Sequence, residues 1–440
     1  MRVQLKPEGR KRGKIASSLA AATCSLLCAS QAGVSIAAEE GSVAEESEKA
    51  WTYDTAIQYY GEADRVTDIS ANLLATRSWL DGRSFTFKIG VDTLTGASAN
   101  GAAPARTPQT FTGPSGSAYT VQARSTPLDP TFLDTRVAAS VNYSQPLTER
   151  MRAAFGVTFS TEYDYLHGGL NARLDWDFNQ RSTTLTLGAA YAHDIIDPVG
   201  GAPIGLSDMR VPGNNANKLG QDSKTIGDLL VGVTQVVGKR TICQFNYALS
   251  RADGYQTDPY KIISVVDPVT GDNVPGFGPI NLYLHEKRPD TRTKHAFYSQ
   301  VRHALHRDIF DISYRYMTDD WGVRSHTIDL RYRLRYSGFY VQPHARYYLQ
   351  NAADFYAPVL FDGDPLPQHA TADYRMGDLT GATIGVKYGY PFGQGREWSL
   401  RFEYYQQSGT SPPEYSVGSL QGLDLFPDVD ALIFQGGYRF

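Results

Sequence analysis

Strict two-residue alternation constrains this chain more than any other feature, and residues 327–336, TIDLRYRLRY, show it most clearly. Arg331, Arg333 and Arg335 occupy every second position, with Leu or Tyr between them. In a helix these side chains would scatter around the axis, whereas in a β-strand they separate into a basic face and an apolar face. The apolar face of such a strand contacts either a protein core or lipid, and the rest of the sequence decides between the two.

The same alternation recurs in sixteen segments from Trp51 onward. They lie near 51–60, 65–79, 84–95, 134–144, 149–161, 166–178, 182–194, 225–237, 240–251, 294–305, 308–317, 323–336, 338–350, 378–390, 396–407 and 430–440. Counted along the chain, the odd-numbered connections between segments include the long ones, 96–133, 195–224, 252–293, 351–377 and 408–429. The even-numbered connections are all tight, such as LDGRS and VGKR. This parity is typical of outer-membrane barrels. We therefore predict an all-β chain whose residues 51–440 form an up-and-down antiparallel transmembrane β-barrel of about 16 strands, or of 14 if residues 51–79 do not pair.

The last ten residues, ALIFQGGYRF, resemble the C-terminal insertion signal of bacterial outer-membrane barrels. Phe434, Tyr438 and Phe440 alternate with other residues, so that an aromatic ring stands at the terminus and another two residues before it. The resemblance implies that the barrel assembly machinery recognises these residues and inserts the chain into the bacterial outer membrane.

The first 38 residues have the pattern of a secretory signal peptide, because a basic start precedes an uncharged Ala/Leu/Ser-rich run. An uncleaved membrane anchor is the alternative. We expect residues 39–50 to form an acidic periplasmic tail. Six basic residues and Glu8 leave with the signal, so the net charge of −4 becomes −4 − 5 = −9, which argues against nucleic-acid binding. Cys243 is then the single cysteine, and no later apolar run is long enough for a membrane helix.

Extending the alternation through the C-terminal half predicts a basic wall on the inner face of the barrel, because arginine on the lipid face costs on the order of 2–4 kcal/mol near the midplane. Nine residues form this wall: Arg302, Arg315, Arg331, Arg333, Arg335, His344, Arg346, Lys387 and Arg401. Asp311, Asp329 and Glu403 share the same face, whereas inward positions of the N-terminal half are mostly small and uncharged. Either the wall draws small anions through an aqueous channel, or its cations pair with acids on neighbouring strands and hold the wall together.

The motifs of familiar catalytic and metal sites are missing from the sequence. There is no GxSxG and no CxxC, and an odd spacing places His303 and His306 on opposite faces of a strand. Carboxylate–glycine clusters around Gly271 and Gly363 match no complete calcium loop and favour ordinary turns. We therefore expect no enzyme activity, no catalytic residue, no metal site and no cofactor.

Four stretches resemble a family of Gram-negative outer-membrane proteins of unknown function. They are VDTLTGASANGA (91–102), STEYDYLHGGLNARLDWDFNQRSTTL (160–185), YLHEKRPDTRTKHAFYSQVRHAL (283–305) and the terminal GYRF. In that family the genes often neighbour a flavin transferase, a small lipoprotein and a thioredoxin-like protein, which implies periplasmic redox partners. The candidates for family-specific structure are Asp92, Gly96, Glu162, Asp164, Arg288, Asp290 and Arg292.

The sequence thus predicts an outer-membrane barrel that acts as a passive channel, or as the outer-membrane component of an envelope redox or metal-handling system. Its expected surroundings are outer-membrane lipid and lipopolysaccharide. The alternative is a non-conducting barrel scaffold whose long outer loops or periplasmic tail bind partner proteins.

Overall fold

The computed structural model of this chain describes residues 51–63, 65–112, 118–210, 214, 216–276, 280–393, 395–410, 416–426 and 428–440. The predicted signal peptide (1–38) and acidic tail (39–50) lie outside the described residues.

The described residues form 21 strands and three short 3₁₀ helices. The strands are β1 (Thr52–Glu62), β2 (Val66–Ser78), β3 (Ser84–Ala99), β4 (Gln109–Thr112), β5 (Ala118–Val121), β6 (Leu128–Pro146), β7 (Met151–Thr161), β8 (Tyr165–Phe178), β9 (Thr183–Ile196), β10 (Asp222–Val236), β11 (Thr241–Gly254), β12 (Ile262–Val266), β13 (Tyr283–His285), β14 (Thr291–Ala304), β15 (Ile309–Asp319), β16 (Arg324–Arg335), β17 (Tyr340–Gln350), β18 (Val359–Phe361), β19 (Leu379–Phe392), β20 (Arg396–Gly409) and β21 (Val429–Arg439). The 3₁₀ helices are Asn179–Arg181, Tyr374–Met376 and Gly418–Gly422.

Sixteen of these strands close into one antiparallel barrel in the order β1-β2-β3-β6-β7-β8-β9-β10-β11-β14-β15-β16-β17-β19-β20-β21. Each predicted segment corresponds to one barrel strand, so the predicted fold is confirmed. β1 pairs with β2 from Thr52 opposite Thr76 to Gly61 opposite Thr67, which excludes the 14-strand alternative. β1 also pairs with β21, and this last ladder closes the barrel.

The outer surface of the barrel is apolar. Along each strand, large exposed side chains alternate with less exposed ones, and Ile57, Leu170 and Ile384 are each more than 60% exposed. Alternation places these side chains on the face that points away from the barrel axis. Within the part of the chain that the structure describes, no helix is long and apolar enough to cross a membrane.

A belt of aromatic rings surrounds part of the barrel at the end that carries the short turns and the C-terminus, hereafter the short-turn end. Successive rings contact one another with centroid separations from 4.8 to 6.2 Å. The belt comprises Tyr53, Tyr336, Phe339, Tyr388, Tyr390, Phe392, Trp398, Tyr438 and Phe440. Girdles of this kind mark the interface between hydrocarbon and water around membrane barrels.

At the opposite, long-loop end, the long connections pack together into what we call the loop cap: the described residues of 100–127, 197–221, 255–290, 351–378 and 410–428. The cap contains a three-stranded sheet, β13-β12-β18, and a two-stranded sheet, β4-β5. Phe111 and Tyr283 stack with centroids 5.2 Å apart in one apolar cluster, and Val266 and Leu420 belong to a second. The loops therefore have buried cores of their own.

Candidate functional site: the inner wall and the loop cap

The nine predicted basic-wall residues all lie on barrel strands, opposite the exposed apolar face. Arg302 is on β14 and Arg315 on β15; Arg331, Arg333 and Arg335 are on β16; His344 and Arg346 are on β17; Lys387 is on β19 and Arg401 on β20. On β16, for example, the exposed Ile328 and Leu330 alternate with Asp329 and Arg331. Strand alternation therefore directs these nine side chains toward the lumen.

Several of these cations pair with acids on the same wall. The guanidinium of Arg302 lies 2.7 Å from the Asp311 carboxylate on the neighbouring strand. Arg331 lies 3.1 Å from Asp329, two positions earlier on its own strand. Cross-strand pairs of opposite charge stabilise a sheet by a few tenths to about 1 kcal/mol each.

His344 joins two carboxylates across four strands. Its Nε2 lies 2.9 Å from Asp329 on β16, and its Nδ1 lies 2.9 Å from Glu403 on β20. Carboxylates only accept hydrogen bonds, so both ring nitrogens donate and the ring is an imidazolium. Gly385 on the intervening β19 lies between the two partners, and a Cβ there would stand 2.4 Å from Cγ of Glu403. The contact between His344 and Glu403 therefore depends on a glycine at position 385.

The remaining wall cations have weaker or neutral neighbours. Arg333 donates to Gln342 at 3.0 Å and lies over the Tyr340 ring, and Arg315 lies over the Tyr298 ring. Lys387 is 3.5 Å from Glu397, and Arg401 is 3.8 Å from Glu403. In the register of β16 with β17, Arg346 is opposite Asp329 and Arg335 is opposite Tyr340. Much of the positive charge on this wall is thus compensated locally.

A cluster of charged side chains lies inside the loop cap, centred on Arg288, which is 1% exposed. Nη2 of Arg288 donates to Asp373 at 2.8 Å and to Glu286 at 3.1 Å. Thr371 also donates to Glu286, and Arg375 pairs with Asp373 at 2.6 Å. We call these five residues the Arg288 cluster. Burial of so many charges is tolerated only when each is paired and hydrogen-bonded.

The electrostatics of the cap follow from this burial. Desolvation opposes ionisation of Asp373, but Arg375, Lys261 and Arg288 outweigh it and hold the pKa of that carboxyl well below its ordinary value. Burial lowers the pKa of His285 to about 4, so that ring is neutral at physiological pH. At the rim, burial raises the pKa of Asp164 to about 8 although the Tyr260 hydroxyl donates to it at 2.9 Å.

The cap is fastened to the barrel at points around its circumference. Arg65, between β1 and β2, donates to the Tyr374 hydroxyl at 3.2 Å. Lys261 donates to the carbonyl of Ala99 at the end of β3. Gln350 at the end of β17 donates to the carbonyl of Arg375 at 2.9 Å. On the opposite side of the barrel, the Tyr260 hydroxyl donates to Asp164, between β7 and β8, at 2.9 Å. The cap therefore has contacts on both sides of the barrel mouth.

The family-specific candidates lie mainly at the rim and in the cap. Arg136 donates to Asp92 across β3 and β6 at 3.0 Å. Arg292 donates to Asp319 at 2.8 Å and lies over the Trp321 ring. Gly96 has a φ of +114°, and a Cβ there would stand 2.0 Å from the carbonyl oxygen of Arg65. In the remaining candidates, the carbonyl of Asp290 accepts from Gly254, and the amide of Glu162 donates to the carbonyl of Tyr165. These residues shape the junction between wall and cap.

Sequence reasoning missed the charged interior of the cap. Arg288 and Asp373 are 85 residues apart, and neither lies in an alternating pattern that would announce a partner. A buried arginine in a long polar loop has no local signature. Among the described residues, no group of three or more His, Cys, Asp or Glu side chains is placed to hold a metal ion.

The predicted insertion-signal residues Phe434, Tyr438 and Phe440 lie at the closing seam of the barrel. All three are exposed on the outer face, and Phe440 stacks on Tyr53 with centroids 5.0 Å apart. Their role in assembly stays a prediction.

The fold and its apolar exterior define a 16-stranded β-barrel of the type found in bacterial outer membranes. A family model described as "Protein of unknown function (DUF3570)" matches residues 16–440, and the chain belongs to that family. The predicted membership of a family of unknown function is thereby confirmed. No curated protein matches the sequence.

Solved structures similar to this chain are outer-membrane proteins with low sequence identity. The siderophore receptor PirA from Acinetobacter baumannii is 8% identical over 88% of this chain, with a TM-score of 0.39, and this chain spans 59% of the length of that receptor. OmpT of Vibrio cholerae is 10% identical over 91% of this chain and 100% of its own, with a TM-score of 0.41. OccK5 (OpdH) of Pseudomonas aeruginosa is 8% identical over 89% of this chain and 97% of its own, with a TM-score of 0.38.

Proposed function

We propose that the protein is an outer-membrane β-barrel whose outer mouth is held shut by the loop cap, so that solutes pass only when the cap is displaced. In this proposal the protein is a gated conduit, in contrast to the passive channel that was one prediction from the sequence. The cap is the gate and the Arg288 cluster holds it closed.

The exterior of the barrel supports a membrane location. Exposed apolar side chains such as Ile57 and Leu170 would be costly in water over so large an area, and lipid removes that cost. The aromatic belt at the short-turn end fits the periplasmic interface, and the long loops then face outward. Outer-membrane lipid and lipopolysaccharide are the surroundings that this surface would contact.

The single observation that carries the closed mouth is the burial of the Arg288 cluster. Arg288, Glu286 and Asp373 are at most 1% exposed, although they belong to loops that connect different strands. An open aqueous mouth would hydrate such side chains, whereas a packed cap excludes water from them. The contacts of the cap with β3 and β17, and of Tyr260 with Asp164 between β7 and β8, support a packed layer that reaches across the lumen.

The inner wall supports a gated conduit over an anion-selective pore. Asp311, Asp329 and Glu403 compensate the cations that the sequence assigned to a selectivity wall. The inner wall below the cap carries polar and charged side chains, such as Asp329 and Arg331 on β16, as a conduit for water-soluble solutes requires. A role with periplasmic redox partners rests on the family resemblance alone, and remains a separate proposal.

Liposome swelling tests this function. Folded protein, verified by heat-dependent gel mobility, is placed in liposomes, and entry of a small neutral sugar is followed by light scattering. Wild type should give no swelling, whereas Arg288→Ala, which leaves buried carboxylates without their partner, should admit the sugar. Arg251→Ala is the matched control, because Arg251 forms an exposed ion pair with Asp253 at 3.9 Å on the outer rim. This variant should behave as wild type.

Two results would contradict the proposal. Rapid swelling with wild-type protein would mean that the barrel is an open pore. Limited proteolysis reports whether the cap of Arg288→Ala is open. If it is open and neither wild type nor the variant gives swelling, the barrel is a non-conducting scaffold.

A further inference from the structure

The inner wall of the N-terminal half holds a constellation of side chains that the gated-conduit function does not use. Thr158 on β7, His167 on β8 and Asp194 on β9 lie on three consecutive strands, all on the face opposite the exposed apolar residues. Oγ1 of Thr158 is 3.1 Å from Nε2 of His167, and Nδ1 of His167 is 2.7 Å from Oδ1 of Asp194. His167 and Asp194 are buried.

The hydrogen bonds fix the tautomer that a general base requires. Asp194 only accepts, so Nδ1 of His167 carries a proton, and in the neutral ring Nε2 presents its lone pair to the hydroxyl of Thr158. The second oxygen of Asp194 accepts from Tyr165 and lies 3.7 Å from the ammonium group of Lys224. These contacts hold the carboxylate in its ionised, oriented form. This is the arrangement of nucleophile, base and orienting acid found in hydrolytic triads.

Two glycines allow polar side chains to lie close to the wall beside the hydroxyl. A Cβ on Gly169, opposite Thr158, would stand 2.6 Å from Oγ1. A Cβ on Gly156, one row further along the same face, would stand 2.6 Å from Nδ2 of Asn171 and 2.9 Å from Nδ2 of Asn142. The hydroxyl therefore lies over Gly169 and the two amides lie over Gly156, one row away on the same face. Side-chain amides are suitable donors to a developing oxyanion.

We propose that Thr158, His167 and Asp194 form a catalytic triad that hydrolyses small uncharged carboxylic esters in the lumen. Oγ1 of Thr158 attacks the ester carbonyl carbon while its proton passes to Nε2 of His167. The tetrahedral intermediate collapses by breaking the carbon–alkoxy bond, and the proton on Nε2 leaves with the alcohol. A water molecule then attacks the acyl-threonine with the same base, which releases the carboxylic acid and restores the threonine.

No short sequence motif contains the three residues. They lie 9 and 27 residues apart in sequence, and only the ladders of β7 with β8 and of β8 with β9 bring them together. His167 and Gly169 lie in the stretch 160–185 that carries the family resemblance. The gated-conduit proposal gives these two residues no role. The inference is independent of the closed mouth, since it rests on the contacts of three side chains of the inner wall.

Turnover of p-nitrophenyl acetate by the folded, detergent-solubilised protein tests this activity. Wild type should exceed the detergent blank, and Thr158→Val, which keeps the shape but removes the hydroxyl, should lower the rate to the blank, a loss of about 10³-fold or more. Thr158→Ser should retain activity. Thr186→Val is the matched control, because Thr186 is also an inner-wall threonine but donates to Asp175 at 2.8 Å with no histidine involved.

A covalent readout makes the test independent of variant folding. A fluorophosphonate probe should phosphonylate wild-type protein, and peptide mass spectrometry should place the adduct on Thr158. Wild-type turnover equal to the blank, unchanged turnover in Thr158→Val, or an adduct on another residue would each overturn the proposal. None of these results bears on sugar entry, so the gated conduit is judged separately.

Discussion

At the scale of single residues, the chain buries charges in two different ways. On the inner wall, the side chains of Asp329, His344 and Glu403 are 16%, 13% and 10% exposed and contact one another along one face. In the cap, Arg288 and Glu286 are removed from water entirely. A lost partner is therefore less costly on the wall than in the cap, because the charge left behind in the cap is more deeply buried.

Replacement of Arg288 by alanine should selectively loosen the cap. Loss of the guanidinium leaves Glu286 buried without its cation, which destabilises by about 3–5 kcal/mol when a buried pair is broken. Amide hydrogen exchange in residues 258–290 should accelerate while exchange in the barrel strands stays slow. In Arg251→Ala, whose pair is exposed, cap exchange should be unchanged. Uniform protection in Arg288→Ala would contradict the role given to the cluster.

Because of the rim carboxyl of Asp164, the folded protein should lose stability as pH rises toward about 8. Burial raises its folded pKa to about 8, above an unfolded value of about 3.9. Its contribution to stability is therefore fully present below the unfolded pKa and is lost as pH rises through about 8. Asp164→Asn cannot ionise and still accepts from Tyr260, so it should be more thermally stable than wild type at about pH 9 and similar at about pH 4. Asp362→Asn, in an exposed loop, is the control; an unchanged pH profile for Asp164→Asn would refute this assignment.

At the scale of elements, the strands were predictable because their physical constraint is local. A strand that faces lipid on one side and water on the other must alternate every two residues. The segment near 327–336 therefore emerges as β16 with Arg331 and Leu330 on opposite faces. Ends of strands were harder to predict, since β3 and β6 extend toward the cap and reach Ala99 and Leu128 beyond the alternating pattern.

A substitution of Gly385 in β19 tests how closely β19 and β20 must pack for the inner wall to keep its contacts. Gly385→Ala places a methyl group 2.4 Å from Cγ of Glu403 and 2.6 Å from the carbonyl oxygen of Phe402. The resulting displacement should break the contact of His344 with Glu403 and destabilise the barrel by about 1–3 kcal/mol, measured as a lower urea midpoint for loss of folded gel mobility. Gly168→Ala on β8, where no heavy atom lies within 4 Å of the new Cβ, should leave the midpoint unchanged. Equal midpoints for both variants would show that the wall yields freely at β19.

At the scale of the whole molecule, the cap and the inner-wall constellations could not be read from the sequence. Arg288 contacts Asp373, and His167 contacts Thr158 and Asp194, only after strand pairing and loop packing bring these segments together. No short-range sequence pattern predicts such contacts, because the local backbone conformation around each residue does not depend on its remote partner. The sequence therefore predicted a barrel with long loops, but not that the loops assemble a buried layer with its own sheets and cores.

The central claim, that this layer closes the barrel, is tested most directly by single-channel recording. Refolded wild-type protein, shown to be folded by heat-dependent gel mobility, is added to a planar bilayer at neutral pH. Closure by the cap predicts a silent membrane at low voltage. Stable open steps from the unmodified protein, observed as soon as it inserts, would contradict the closed mouth and restore the passive channel that the inner wall first suggested.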